Sequence, residues 1–410
     1  MTTTIRVPGA VLIEREHIVP LDHADPDGPT ITVFTREVAS PDAPATTPYL
    51  VFLQGGPGME ATRPAGPPTG WIARALNDFR VLLLDQRGTG RSTPVGPVIP
   101  GDTPEAQAAY LTHFRADSIV LDAEAIRREL GIDRWSVLGQ SFGGFTAMTY
   151  LSFAPEGLRE VFITGALAPI GRSVDDIYAA TYLRVIERNE RYYERYPEDR
   201  ARVREIHRIL DAEPYLLATG ERLTRRRFRQ IGMWLGDSAG WEYLHHLLEL
   251  PMDSPAFRHD VAEAEHFSRN PLYATLHESS YADGVVTRWS ADRLVPDEIR
   301  DGDGFSAEHV FPWMFDDYAA LQPHKVAAEI LAQHSWPRLF DEGQLALNEV
   351  PVAATIYVDD LYVERAFAEE TAAVIRGLRP WITNEFVHNG LRADGERVLG
   401  HLIDLARGRA

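Results

Sequence analysis

Five short runs dominated by apolar residues limit what this chain can fold into. Residues 49–53, 80–84, 135–138, 160–164 and 350–358 lack the alternation of a half-exposed strand, and helix-compatible segments separate the first four. Strands buried on both faces read this way, and their alternation with helices implies βαβ units. The expected class is therefore α/β, with a mostly parallel sheet and helices on both faces. Ahead of these runs, 6–19 and 30–38 alternate apolar and polar residues around Asp25-Pro26-Asp27-Gly28-Pro29, which predicts an antiparallel edge hairpin. Asp117 or Ser118 is expected to cap a helix that Gly131 stops.

From 175 to about 323 the periodicity is helical, and no strong buried strand occurs. The chain is expected to divide into a core of 1–168 and 324–410, with a helical cap at 169–323 inserted after the sixth strand. The Arg-rich piece at 222–229 is expected to be a solvated helix face. After the strand at 350–358 come a helix at 364–378, a last strand at 381–387 and a helix at 394–406.

Cysteine is absent, which excludes disulfides, thiolate metal sites and a Cys nucleophile. A formal charge of −19 disfavours nucleic acid and anionic membrane as partners. No apolar run approaches the roughly 18 residues of a membrane helix. Met1 to Pro8 lacks a basic start followed by an apolar core, so a cytoplasmic protein is expected. No metal-enzyme motif is read, and no metal or cofactor is expected.

The run at 135–138 leads into Gly139-Gln140-Ser141-Phe142-Gly143 and then a helix-forming segment. In a strand–turn–helix setting, Gly-x-Ser-x-Gly exposes the serine hydroxyl at the top of a sheet. A serine needs a base, and the base an orienting acid. The chain supplies Asp359 or Asp360 beyond the strand at 350–358 and His388 beyond the last strand, in the order expected of an α/β-hydrolase. Asp360 is the preferred acid, by its distance from Val350-Pro351-Val352. His245, His246, His309 and His324 fall in or next to the helical insertion, where surface or packing roles are expected. Oxyanion donors are expected from the Phe142 amide and from that of Gly55 or Gly56 after the 49–53 strand.

Together these residues resemble a family. Gln54-Gly55-Gly56-Pro57-Gly58 is similar to the His-Gly-Gly-Pro-Gly motif of the proline iminopeptidases (prolyl aminopeptidases). Asp85-Gln86-Arg87-Gly88-Thr89-Gly90-Arg91-Ser92 and Gly139-Gln140-Ser141-Phe142-Gly143-Gly144 resemble two further segments. The segments around Asp360 and His388 look like the longer bacterial branch. The resemblance implies an α/β-hydrolase that releases N-terminal proline from small peptides without metal or cofactor. Gln54 departs from the usual His. The substrate's positive imino group calls for carboxylates in a dry pocket. Glu278, in a segment similar to the family's Glu-x-x-Tyr, is one candidate, with Glu308 and Glu242 as others. Trp313, Phe311 and Tyr281 are candidates for the pyrrolidine slot. The competing expectation keeps the triad but gives it another small-molecule ester or amide.

Overall fold

The computed structural model describes residues 2–264 and 267–410. Its strands are β1 (Thr2–Val7), β2 (Ala10–Pro20), β3 (Thr30–Ala39), β4 (Tyr49–Leu53), β5 (Arg80–Asp85), β6 (Trp135–Gln140), β7 (Leu158–Thr164), β8 (Tyr215–Leu216), β9 (Arg222–Leu223), β10 (Val352–Tyr357) and β11 (Leu378–Thr383). Among the described residues one sheet has nine strands, in the order β1-β2-β3-β5-β4-β6-β7-β10-β11. The β5-to-β11 part is parallel, and β1, β2 and β3 extend it antiparallel beyond β5.

The unbroken apolar runs follow from burial on both faces. Leu50, Phe52, Val81, Leu83 and Leu138 pack on one side, beneath the helices Gly70–Ala75 and Gly395–Ala406. Val51, Leu53, Leu82, Leu84 and Val137 face the other, beneath Ala116–Glu129 and Phe142–Phe153. Phe52 meets Trp71 at a 4.5 Å ring separation, and Leu402 and Ile403 of the last helix are fully buried. Each such aliphatic side chain contributes about 1.5–3 kcal/mol.

Several elements differ from the sequence expectation. Pro8 and Gly9, the latter at φ 78°, split the first strand in two, so the insertion follows the seventh strand rather than the sixth. The helix at Ala116–Glu129 has Arg115 rather than Asp117 or Ser118 at its cap. Asp117 instead pairs with the Arg115 guanidinium at 3.0 Å, and that guanidinium also donates to the Ala282 and Pro337 carbonyls. The last strand ends at Thr383, so His388 stands at the end of a five-residue loop.

Between β7 and β10 the chain forms the helices Val174–Arg195, Pro197–Ala212, Gly240–Glu249 and Pro255–Glu263, with shorter ones and the small β8–β9 ladder. The first opens with a capping box, Ser173 with Asp176. Among the described residues no helix is long and apolar enough to cross a membrane.

The Arg-rich piece is a solvated face only in part: Arg222 and Arg226 are exposed, whereas Arg227 and Arg229 turn inward. Arg227 is fully buried and donates to the Arg222 and Asp317 carbonyls at 3.1 and 2.9 Å, and Arg229 reaches the carbonyls of Arg300 and Gly302. The guanidinium forks close chain ends that the short elements leave open. Arg227→Ala is expected to cost about 2–3 kcal/mol by stranding those carbonyls. Arg226→Ala removes a half-exposed pair with Asp317 and is expected to cost at most about 1 kcal/mol. Denaturant midpoints of the two variants check the contrast.

Candidate active site

Ser141 lies where β6 turns into the helix Phe142–Phe153, at φ 52° and ψ −127°. A non-glycine residue in this region stores roughly 1–3 kcal/mol, held by the surrounding packing. That packing needs glycine on both sides. A Cβ on Gly143 would lie 1.9 Å from the Leu53 carbonyl oxygen, and one on Gly139 2.4 Å from that of Gly143.

The Ser141 hydroxyl is 2.9 Å from His388 Nε2, and His388 Nδ1 is 2.8 Å from Asp360 Oδ2. The other Asp360 oxygen accepts the Tyr362 and Val363 N–H groups at 2.9 and 3.1 Å. An ionised carboxylate only accepts, so Nδ1 carries the proton and Nε2 is left to accept from Ser141. The loop that carries His388 is fixed by its own N–H, which donates to the Gly236 carbonyl at 3.0 Å, and by the Tyr362 ring at 4.8 Å. Asp359 points elsewhere, to Arg191 at 3.1 Å. Burial pushes the His388 pKa down, but the Asp360 charge and hydrogen bond outweigh it and leave the ring above its ordinary 6.5. The arrangement can take a proton from Ser141 and hold the resulting imidazolium against Asp360.

The loop after β4 separates Gly55 from Gly56. The Gly55 N–H donates to Gln54 Oε1 at 3.0 Å, and a Cβ there would come 3.0 Å from that of Ser141. The Gly56 N–H has no acceptor among the described residues, nor has that of Phe142 at the helix start. Gln54 also reaches the Glu60 carbonyl at 3.3 Å, and its own carbonyl accepts from Gln86 at 2.9 Å. Glu60 in turn binds Arg269 and Asn270, and Asn270 donates to the Gly58 carbonyl, so the insertion grips this loop directly. The Asp85–Ser92 segment braces it from below. Asp85 accepts the Ala61 and Arg91 N–H groups, and buried Arg87 forms a two-pronged pair with Asp122 at 2.7 and 2.6 Å.

The candidate amine-site residues separate. Glu308 lines a narrow pocket with Tyr178, His277, Tyr281, His309 and Tyr362. Its carboxylate accepts from Tyr273 O–H at 3.2 Å, lies 3.6 Å from His277 Nε2, and contributes to raising His388. Glu278 opens instead onto a second narrow pocket beside Trp289 and Trp336. One of its oxygens accepts the Ala291 N–H, and burial raises its pKa. Glu242 lies apart from both cavities, paired with Arg195. Tyr281 packs edge-on against Phe145, while Trp313 stacks on Phe311 under Arg226.

His309, expected at the surface or in packing, lines the first cavity, and burial holds its pKa down at about 3. His277, Tyr178 and Tyr362 were not singled out by the sequence. Only the place of Tyr362, two residues past Asp360, could have signalled one of them. Glu60 and Asn270 carry no sequence signal of their joint role.

A family model of the alpha/beta hydrolase fold matches residues 48–211. A proline iminopeptidase of Aeromonas sobria is 46% identical over 404 residues, covering 95% of this chain and 95% of the relative. One of Aspergillus aculeatus is 35% identical over 419 residues, covering 95% and 92%. A solved proline iminopeptidase of Mycobacterium smegmatis is 16% identical, covers 97% of this chain and 100% of that one, and gives a TM-score of 0.47. With the Aeromonas and Aspergillus relatives matched over nearly their whole length at 46% and 35% identity, the chain belongs to the proline iminopeptidase family of α/β-hydrolases.

Proposed function

We propose that this protein is a serine aminopeptidase that releases N-terminal proline from small peptides through an acyl-enzyme. The observation that carries the reading is the hydrogen-bonded chain Ser141–His388–Asp360 beside a pocket lined by the Glu308 carboxylate. The names of its full-length relatives support the substrate class.

Ser141 Oγ attacks the scissile carbonyl while His388 Nε2 takes its proton. The carbonyl oxygen becomes an oxyanion facing the Gly56 and Phe142 N–H groups, Gly55 being occupied by Gln54. Collapse breaks the C–N bond, and His388 gives the proton to the departing amine. Water, deprotonated by the same ring, then hydrolyses the prolyl ester and restores Ser141. Residues 169–323 act as the cap. Glu308 receives the positively charged imino group, and its half-buried seat among aromatic side chains strengthens that pairing. Glu278 faces away and acts in the cap's interior.

Ser141→Ala is expected to lower kcat on a prolyl-arylamide by a factor on the order of 10⁴ or more. Retained turnover there, or faster cleavage of simple esters than of prolyl-arylamide, would overturn the reading. Glu308→Gln is expected to lose about 10–100-fold in kcat/KM on substrates with a free imino group, the worth of one charge-assisted hydrogen bond. The same substitution should leave an N-acetylated prolyl ester, tested at high concentration, unaffected.

The pH profile gives a third test. His388 must be neutral to act as base, and Asp360 favours its protonated form, so kcat/KM should rise with pH through a midpoint above 6.5. In Asp360→Asn burial remains while the largest raising interactions are gone. Its midpoint should shift down, with a loss in kcat of about 10⁴.

A further inference from the structure

Two helices of the insertion bring imidazoles and a carboxylate together at a place the proposed hydrolysis does not use. His245, His246 and Glu249 lie on the helix Gly240–Glu249, and Asp199 lies in the first turn of Pro197–Ala212. The Glu249 carboxylate sits between the two rings. Its Oε1 is 3.6 Å from His245 Nε2, and its Oε2 is 3.3 Å from His246 Nδ1. Two ligands on a tetrahedral ion with arms of about 2.0–2.1 Å stand roughly 3.3–3.4 Å apart, so the two histidine–glutamate spacings are close to those of a ligand set, and the three ligand atoms lie within 4.8 Å of one another.

The orientation of His245 is fixed from behind. Its Nδ1 is 2.9 Å from Oδ2 of fully buried Asp199, and its ring stacks on Tyr196 at 4.0 Å and 12°. A carboxylate on one ring nitrogen, with the other turned outward, is the support that metal-binding imidazoles use. Asp199 is not itself free to ligate. Its Oδ2 also accepts from Tyr192, and its Oδ1 pairs with Arg202 at 2.6 Å. Glu198 also approaches His245 and Asp199, but a metal in that group would have to break these buried contacts.

We propose that His245 Nε2, His246 Nδ1 and the Glu249 carboxylate bind one divalent ion of the zinc type, with the remaining position open to water. Two imidazoles and one carboxylate suit a borderline transition-metal ion, whereas calcium and magnesium favour all-oxygen sets. The ion ties the outer end of this helix together. Its inner end lies beside the catalytic histidine, where Gly236 accepts the His388 N–H and Ser238 donates to Asn389.

The test is a titration of untagged full-length protein with Zn²⁺ against a chromophoric chelator, repeated with Co²⁺ to read tetrahedral absorption. One equivalent is expected to bind. With 14 histidines in the chain, the variants carry the assignment. His245→Ala and Glu249→Gln should each weaken that equivalent by tenfold or more, and Asp199→Asn by about 10–100-fold. His259→Ala, at the separate exposed pair with Asp260, should leave it unchanged. Circular dichroism confirms that each variant is folded, and the exposed His246→Ala stands in if Asp199→Asn is not. Failure to bind an equivalent, or undiminished binding by the His245→Ala/Glu249→Gln double variant, would overturn the proposal.

Discussion

The contact between Gly143 and the Leu53 carbonyl oxygen is the constraint on which the site depends. It lets the helix Phe142–Phe153 approach β4 so closely that no side chain fits at the crossing. With that helix start fixed, Ser141 is held at positive φ on a sharp turn, hydroxyl outward. The approach also brings the Phe142 amide and the Gly55–Gly56 loop to the same side of the serine. One steric contact therefore sets the strain and exposure of Ser141 and the place of the Phe142 amide next to it.

Around this turn, buried polar groups hold loops where secondary structure does not reach. Asp360 uses one oxygen on two backbone N–H groups and the other on His388, so a single carboxylate fixes its own loop and the ring. Arg87 and Asp122 anchor the segment after β5, and Gln86 passes that anchorage to the Gln54 carbonyl. Glu60 links the same loop to Arg269 and Asn270 of the insertion. Burial makes such groups expensive to leave unpaired, and the loops near the serine are correspondingly well determined.

What could be read from the sequence was what depends on local pattern. Apolar runs mark doubly buried strands because period and burial are coupled, and the glycines flanking Ser141 mark a close approach. Boundaries failed where a distant partner decides. Arg115 displaced the expected cap because its guanidinium is drawn to carbonyls at Ala282 and Pro337. Arg227 looked like a surface charge and is buried, since the carbonyls it satisfies come together only in the folded insertion. His245, His246 and Glu249 lie along one helix, but the outward turn of the His245 ring depends on Asp199 of another helix, which no local pattern encodes.

The sequence by itself determined the α/β class, the elbow serine and the order of acid and histidine, because these follow from residue type and spacing along single elements. Only the tertiary structure gives different surroundings to Asp359 and Asp360, to Gly55 and Gly56, and to Glu278 and Glu308. Each pair is close to equivalent in local chemistry. They differ in what lies opposite them: Arg191 against His388, the Gln54 side chain against an open site, and a separate cavity against the one beside the catalytic ring. Those opposing groups come from segments far apart in the chain, and no local pattern encodes them.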